Sequence, residues 1–429
     1  MAERLRAMFC DHLSIMRGKY LPASKIRDDA TRFCRSTFGV HYDRDLLPSP
    51  GSMMLEGLPD MELHWKHDEI RDGWEPGTKV VIGDLYDQTG TALGLCPRGA
   101  LKRAVAAWEE RGLTPKVGIE LEAYAFIHNN DGALIPYNSR GAVVYGTGPF
   151  TDPLGFNDRI WEMADQLDFH LDMITAEYDT PQFEYTLTFD DAVKAVDDIV
   201  LFRLMAREVA YHAGVILTFM PKPIPETGGS GMHVNFSFVD DSGRNAVASA
   251  GGGGPDNLSD LARGCISGLL EHHKGLAGLI APTASSYKRL QPASLSGYWR
   301  NWGGDHRNVT TRISSEGGAK ARLEHRMADA SANPHTAVAA VLQAALLGCD
   351  HAQQLPAIES GDGFERTDAT EGTATDLRAA IADLDADQTL CAAVGDLLTA
   401  NHIFMKLQEV EKTASLDDDA LRDFYIYYV

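Results

Sequence analysis

The chain has 429 residues, with an apolar share of 44% and an aromatic share of 8%, room for one large domain with a smaller companion or for two comparable ones. Its net charge of −22 argues against a nucleic-acid partner, whose phosphates it would repel, and no apolar run reaches the roughly 18 to 20 residues of a membrane span. The opening Met1-Ala-Glu-Arg-Leu-Arg is charged at once, which disfavours secretion. The six scattered cysteines form no CxxC pair, which argues for reduced thiols in a cytoplasm and against structural zinc.

The first ninety or so residues hold short strand-like runs such as Lys79–Gly83 between Pro/Gly punctuation such as Pro48-Ser-Pro-Gly51. Cys96-Pro-Arg98 then introduces a helix with Leu101, Ala104, Val105 and Trp108 at helical spacing, stopping at Gly112 before Pro115. This sets a boundary near residue 94 and divides the chain into 1–94 and 95–429. Val117 to Phe126 reads as a strand, with Ile119, Leu121, Ala123 and Ala125 on one face and Glu120, Glu122 and Tyr124 on the other. Trp161 to Leu171 reads as a helix leading to the next ligand-bearing strand. Met232, Val234, Phe236 and Phe238 alternate against His233, Asn235 and Ser237, and Ala337 to Leu347 is an apolar, buried helix. Gly251 to Gly254 followed by Pro255 reads as a flexible surface connection. It lacks the GK[ST] ending of a phosphate-binding loop, and no GxGxxG follows a strand, so the dinucleotide-binding fold is excluded.

Residues two apart on a strand face the same way, so Glu120 and Glu122 point together into whatever their sheet encloses. Side-by-side inward carboxylates repel and desolvate badly unless cations neutralise them. A single such pair is more often the exposed face of an edge strand. Recurrence changes the weighing: Gln182 and Glu184, then His233, then Glu324 occupy polar faces of otherwise apolar strands. With Glu177 this makes five carboxylates and one histidine, a hard donor set that suits two or three Mg²⁺ or Mn²⁺ ions better than zinc. Clustered cations beside arginines are what phosphoryl transfer from ATP needs, and that points to an ATP-dependent ligase.

These stretches, in this order, resemble the glutamine synthetase family: Glu120-Leu-Glu122, Glu177 through Glu184, Gly229-Ser-Gly-Met-His233 and Arg322-Leu-Glu324-His-Arg326. Leu95-Cys-Pro-Arg98, Ser286-Tyr-Lys-Arg289, Trp302 with Arg307 and Arg312, Asn333-Pro334, and a tail with Phe404, Lys406 and Glu409 agree. The resemblance covers roughly residues 90 to 412 with specific motifs and the first ninety more loosely. It implies an α+β fold: an N-terminal β-grasp-like domain and a C-terminal catalytic domain with a curved antiparallel sheet. It implies that Glu122, Glu177 and Glu184 hold the metal that orients glutamate and the amine site, and that Glu120, His233 and Glu324 hold the metal on the ATP phosphates. Arg289 and Arg326 would grip the substrate carboxylates, with the Gly229 backbone near the amino-acid portion. Arg307, Arg312 and Lys320 would contact the transferring phosphate, and Asn235, Ser237 and Arg312 the nucleotide. Active sites shared between neighbouring subunits in a dodecamer of two hexameric rings are also implied.

The chain departs from the family where ammonium is handled. Ammonia-using members follow Tyr-Lys-Arg-Leu with a Pro-Gly-Tyr-Glu-Ala-Pro flap; here the run is Pro292-Ala-Ser-Leu-Ser-Gly297-Tyr-Trp299, which puts about Leu295 where the flap glutamate would be. No acid follows before Asp305, and the Asp-Gly-Ser-Ser motif is absent. Asn235 replaces the second histidine of a His-x-His pair, and Pro181 replaces a glycine before Gln182. The expectation is a γ-glutamyl-amine ligase like γ-glutamylmethylamide synthetases, joining glutamate to a small primary amine, methylamine first. Glutamine synthetase proper with a remodelled flap, and a non-catalytic structural or regulatory relative, are the alternatives.

Overall fold

The computed structural model describes residues 3–249, 252–350, 355–362 and 366–429. The N-terminal part is β-rich: β1 (Arg4–Cys10), β2 (Met16–Pro22), β3 (Ala30–Cys34), β4 (Asp60–His64), β5 (Arg71–Asp72), β6 (Thr78–Ile82) and β7 (Asp84–Tyr86). These strands form a four-stranded sheet in the order β2-β1-β6-β5 and a three-stranded sheet in the order β3-β4-β7. The central β1 and β6 are parallel, as a β-grasp-like arrangement requires, and their other neighbours are antiparallel. Alternation along β1 serves two cores. Leu5, Ala7 and Phe9 pack with Phe38, Met61 and Leu63, while Met8 and Cys10 join the larger core containing Leu101 and Trp108.

The catalytic part follows with α1 (Pro97–Glu109), β8 (Leu113–His128), β9 (Leu134–Pro136), α2 (Phe156–Gln166), β10 (Leu171–Ala176), β11 (Gln182–Leu187), β12 (Asp190–Asp191) and α3 (Ala192–His212). Next come β13 (Ile216–Thr218), β14 (Met232–Asp240), α4 (Asp260–Glu271), α5 (His273–Ile280), α6 (Ser286–Arg289), β15 (Trp302–Gly303), β16 (Thr311–Ile313) and β17 (Leu323–His325). The chain closes with α7 (Pro334–Asp350), α8 (Leu377–Ala386), α9 (Gln388–Val394), α10 (Asp396–Thr413) and α11 (Asp418–Tyr425). One large sheet runs β10-β11-β8-β14-β17-β16-β15, with β9, β12 and β13 also paired to β8. Every pairing in it is antiparallel except β15 with β16. The α+β expectation holds, with that one parallel pair added.

Local chemistry explains most boundaries. Pro97 starts α1, where its missing N–H costs nothing, and Cys96 Sγ accepts from the Gly99 N–H at 3.4 Å. Gly112, at φ +72°, turns the chain into β8. The helix expected over Trp161–Leu171 lies five residues earlier. Its buried face is Phe156, Ile160 and Ala164, Trp161 is 44% exposed, and Leu171 already opens β10. The apolar α7 is buried along most of its length, and the Trp108 indole donates to its Leu342 carbonyl at 3.0 Å. Gly251 lies outside the described residues. Gly252 and Gly253 are a close-packed contact rather than a free surface connection, whereas Gly254, at φ +76°, faces open space: a Cβ on Gly253 would sit 2.2 Å from the Ser315 carbonyl oxygen. Among the described residues, no helix is long and apolar enough to cross a membrane.

Candidate active site

Strand register assembles the site. Antiparallel pairing sets Glu122 opposite Glu184 and Glu120 opposite Thr186 on one side of β8. On the other side it sets Glu120 opposite His233. One strand further, Glu324 of β17 faces Asn235 of β14 and Arg312 of β16. Glu177 comes from the connection just after β10, past whose end Thr180–Pro181 is a cis peptide bond. Side chains on one sheet face are therefore gathered from five strands and a loop.

Two groups of donors result. Glu122, Glu177 and Glu184 form one, and Glu120, Glu184 and His233 the other; within each, the donor atoms lie within 4.8 Å of one another. Glu184 is common to both. Glu324 stands beside the second group, its Oε1 3.6 Å from His233 Nδ1, and it is held by Arg326 and by Arg312 Nη1 at 3.0 Å. His233 Nδ1 lies 3.0 Å from Glu120 Oε2. The Gly231 N–H and the Gln182 amide donate to Glu122 Oε2 at 2.7 and 3.3 Å.

Charge crowding shows in the carboxylates. Burial, with Glu120, Glu122, Glu177 and Glu324 nearby, pushes Glu184 up to about 8, and burial with Glu122 raises Glu177. Burial would raise Glu120 as well, but the His233 and Asn235 hydrogen bonds and the nearby Arg326 hold it down at about 2. A cluster that suppresses ionisation of its shared member fits a divalent cation, which would remove that repulsion.

Glycines let the chain close up around Arg289. A Cβ on Gly229 would lie 2.5 Å from Arg289 Cγ, and one on Gly231 would lie 2.8 Å from both Arg289 Nη2 and His233 Nε2. Arg289 is buried and donates to the Met327 and Arg326 carbonyls at 2.8 and 3.1 Å. Arg326 is buried too, and its Nε has no partner among the described residues, a donor left for a ligand. Arg312 also pairs with Asp305. Arg307 is exposed, its charge acting on Glu177 and Asp305.

Beside Glu120 opens a cleft of about 390 Å³ whose walls include Asn235, Ser237, Lys320, Arg322 and Phe189. Arg312, on β16, is two strands from Asn235 and Ser237 of β14. Asn235 donates to Glu120 Oε1 at 3.0 Å and accepts from Arg322 Nε at 3.2 Å, so the asparagine ties a carboxylate of the cation cluster to a cleft arginine. Lys320 is exposed and paired with Glu316 at 3.4 Å. Arg322 stands in one of the sequence motifs but was given no role there, although its position two residues before Glu324 was a usable signal. The sequence reading also missed Phe189, 58% exposed at the cleft wall, for which nothing local stands out.

A sheet face offering two hard-donor clusters, flanked by arginines and opening on a cleft, has the donor chemistry that metal-dependent phosphoryl transfer needs. The comparisons narrow this class. The family described as "Glutamine synthetase, catalytic domain" matches residues 94–425. Glutamine synthetase of Pyrococcus furiosus is 30% identical over 423 residues, covering 95% of this chain and 90% of that one. Glutamine synthetase of Halobacterium salinarum is 30% identical over 413 residues, covering 92% and 84%. The structure "Crystal structure of novel glutamine synthase homolog" superposes with a TM-score of 0.86 at 25% identity, covering 100% of this chain and 99% of that one. The structure "GmaS/ADP complex-Conformation 1" does so with a TM-score of 0.82 at 26% identity, covering 97% and 95%. The chain belongs to the glutamine synthetase family. It is an ATP-dependent carbon–nitrogen ligase acting on glutamate.

Proposed function

We propose that the enzyme joins a small primary amine, methylamine in preference to ammonia, to the γ-carboxylate of glutamate through γ-glutamyl phosphate. The observation that carries this reading is the segment after Arg289. From Gln291 to Gly304 it contains no acidic residue, and Leu295 sits at φ +56°, half-buried. The segment is rooted beside the substrate arginines: a Cβ on Gly297 would lie 2.8 Å from the Met327 nitrogen, and Thr310 Oγ1 donates to the Gly297 carbonyl at 2.9 Å. Trp299 Nε1 closes the turn on the Pro292 carbonyl at 2.9 Å. An apolar side chain there disfavours a small cation and accepts an alkyl group on the amine. The likeness to the GmaS–ADP structure supports the same direction.

A carboxylate is a poor electrophile, so it is activated first. Glutamate is gripped at its carboxylates by Arg289 and Arg326, with the Gly229 backbone near its amino-acid portion; its γ-carboxylate attacks the terminal phosphorus of ATP, and ADP leaves. The nucleotide occupies the cleft with Asn235, Ser237, Arg322 and Phe189, while Arg307, Arg312 and Lys320 offset charge on the phosphoryl oxygens. Two or three Mg²⁺ or Mn²⁺ ions, held by Glu122, Glu177 and Glu184 and by Glu120, His233 and Glu324, would supply further charge stabilisation. The free amine then attacks the acyl carbon, phosphate leaves, and a carboxylate takes the amine proton. The reading includes a division near residue 94, a cytoplasmic location, and a homo-oligomer of two hexameric rings with shared sites. Glutamine synthetase proper is the second reading, favoured by the names of the relatives at 30% identity.

The test is phosphate release with ATP, Mg²⁺ and glutamate, comparing ammonium, methylamine, ethylamine and a diamine at matched free-amine concentrations. A higher kcat/KM for an alkylamine is expected. A clear win for ammonium would instead establish a glutamine synthetase with a remodelled flap, and silence with every amine would overturn both.

A further inference from the structure

The site uses none of the six cysteines, yet two of them meet. Cys265 on α4 and Cys349 in the last turn of α7 are 84 residues apart in the chain, and their Sγ atoms are 3.8 Å apart. Glycines create this approach. A Cβ on Gly268 would lie 2.0 Å from the Ala344 carbonyl oxygen, one on Gly348 would lie 2.2 Å from the Gly264 carbonyl oxygen, and one on Gly264 would lie 3.0 Å from Cys349 Cα. The two helix backbones touch, so even short side chains span the gap.

The two thiols differ. Cys265 is fully buried, and burial raises its pKa well above the ordinary thiol value. Cys349 is half-buried at the helix end. The Cys265 contact lowers its pKa against the effect of burial; Arg111 also lowers it, and Asp350, which pairs with Arg111 at 2.6 Å, raises it. A partly exposed thiol of lowered pKa, 3.8 Å from a buried thiol, is the arrangement of an attacking and a resolving cysteine.

We propose that Cys265 and Cys349 form a reversible dithiol–disulfide pair, oxidised by a hydroperoxide that reaches Cys349 first. The Cys349 thiolate attacks the peroxide oxygen: an S–O bond forms, the O–O bond breaks, and the departing alkoxide or hydroxide takes a proton. The Cys265 sulfur then attacks the sulfenic sulfur; the S–S bond forms, the S–O bond breaks, and water leaves with the Cys265 proton. Two thiols and one hydroperoxide become one disulfide, one alcohol or water, and one water. Closing the gap to an S–S bond requires a movement of about 2 Å, within reach of side-chain rotation at both helices.

The experiment treats the reduced full-length protein with hydrogen peroxide, blocks free thiols, and maps a non-reducing digest by mass spectrometry. The expected product is a Cys265–Cys349 linked peptide, with loss of two hydrogens from the intact mass, reversed by dithiothreitol. In Cys265→Ala, whose replacement is small and apolar, Cys349 should instead trap as a sulfenic acid with dimedone. In Cys349→Ala the cross-link should vanish and Cys265 should stay unmodified. Sulfinic acid at Cys349 without cross-linking in the wild type, a disulfide between other cysteines, or reaction confined to Cys34 would overturn the proposal.

Discussion

Glu184 belongs to both donor groups, and its carboxyl is where the field of the others concentrates. In the cation-free protein it keeps its proton up to about 8, against an ordinary value of 4.5. An acid whose folded-state pKa is raised holds more protons folded than unfolded between those values, so stability falls as pH rises through that window. Thermal melting with a chelator present should therefore drop between pH 5 and pH 8, and excess Mg²⁺ should restore it. Glu184→Gln should flatten the pH slope while raising the Mg²⁺ requirement for phosphate release by about 100-fold or more; a variant with wild-type Mg²⁺ dependence would remove Glu184 from the ligand set. Leu295→Glu should move the ratio of kcat/KM values toward ammonium by about tenfold or more, since a carboxylate beside the acyl phosphate favours a small cation over an alkyl group. At this scale much was legible: Glu120, Glu122 and His233 were marked by period-two alternation. Glu177 was marked only by its company, because it lies outside a strand and no alternation singles it out.

Among the elements, β8 was legible in kind and short in extent: ten residues were expected and sixteen are paired. Its ends lack the clean alternation because different partners cover them, β14 and β12 along the first half and β9 and β13 along the second. The displacement of α2 has a different origin. Its true face repeats at 156, 160 and 164, and the exposed Trp161 drew the reading off register. The α4–α7 contact was not legible at all, since a glycine in a helix does not announce which backbone it meets. Gly268→Ala should lower the free energy of unfolding by about 1–3 kcal/mol, read as a lower urea midpoint at constant m-value, because its Cβ would meet the Ala344 carbonyl oxygen. An unchanged midpoint would mean that the helices separate easily.

Across the whole molecule, the β-rich N-terminal part is coupled to the catalytic part through a shared core and several ion pairs, such as Arg6 with Glu208 and the group around Arg98. Arg98 is 5% exposed at its side chain and meets Glu69, Asp84 and Asp197, each at 2.9 Å. His335 on α7 adds a contact to Asp197 at 2.8 Å. Removing the cation leaves three part-buried carboxylates together, so Arg98→Ala should cost about 3–5 kcal/mol. Denaturation followed by both far-ultraviolet circular dichroism and tryptophan fluorescence should show the loss, and a single transition unshifted from wild type would discount the coupling. Arg98 was legible only as a letter in a motif, since its partners come from residues 69, 84 and 197.

The sequence by itself determined the class of chemistry. A hard donor set on alternating strand faces, with arginines nearby, is a local pattern that survives without coordinates because strand geometry dictates which residues share a face. Only the tertiary structure decided which donors meet. That Glu184 is shared, that Asn235 links Glu120 to Arg322, and that Cys265 reaches Cys349 all follow from registers and helix contacts between segments tens of residues apart. Those registers are set by packing of the whole core, which no local window contains.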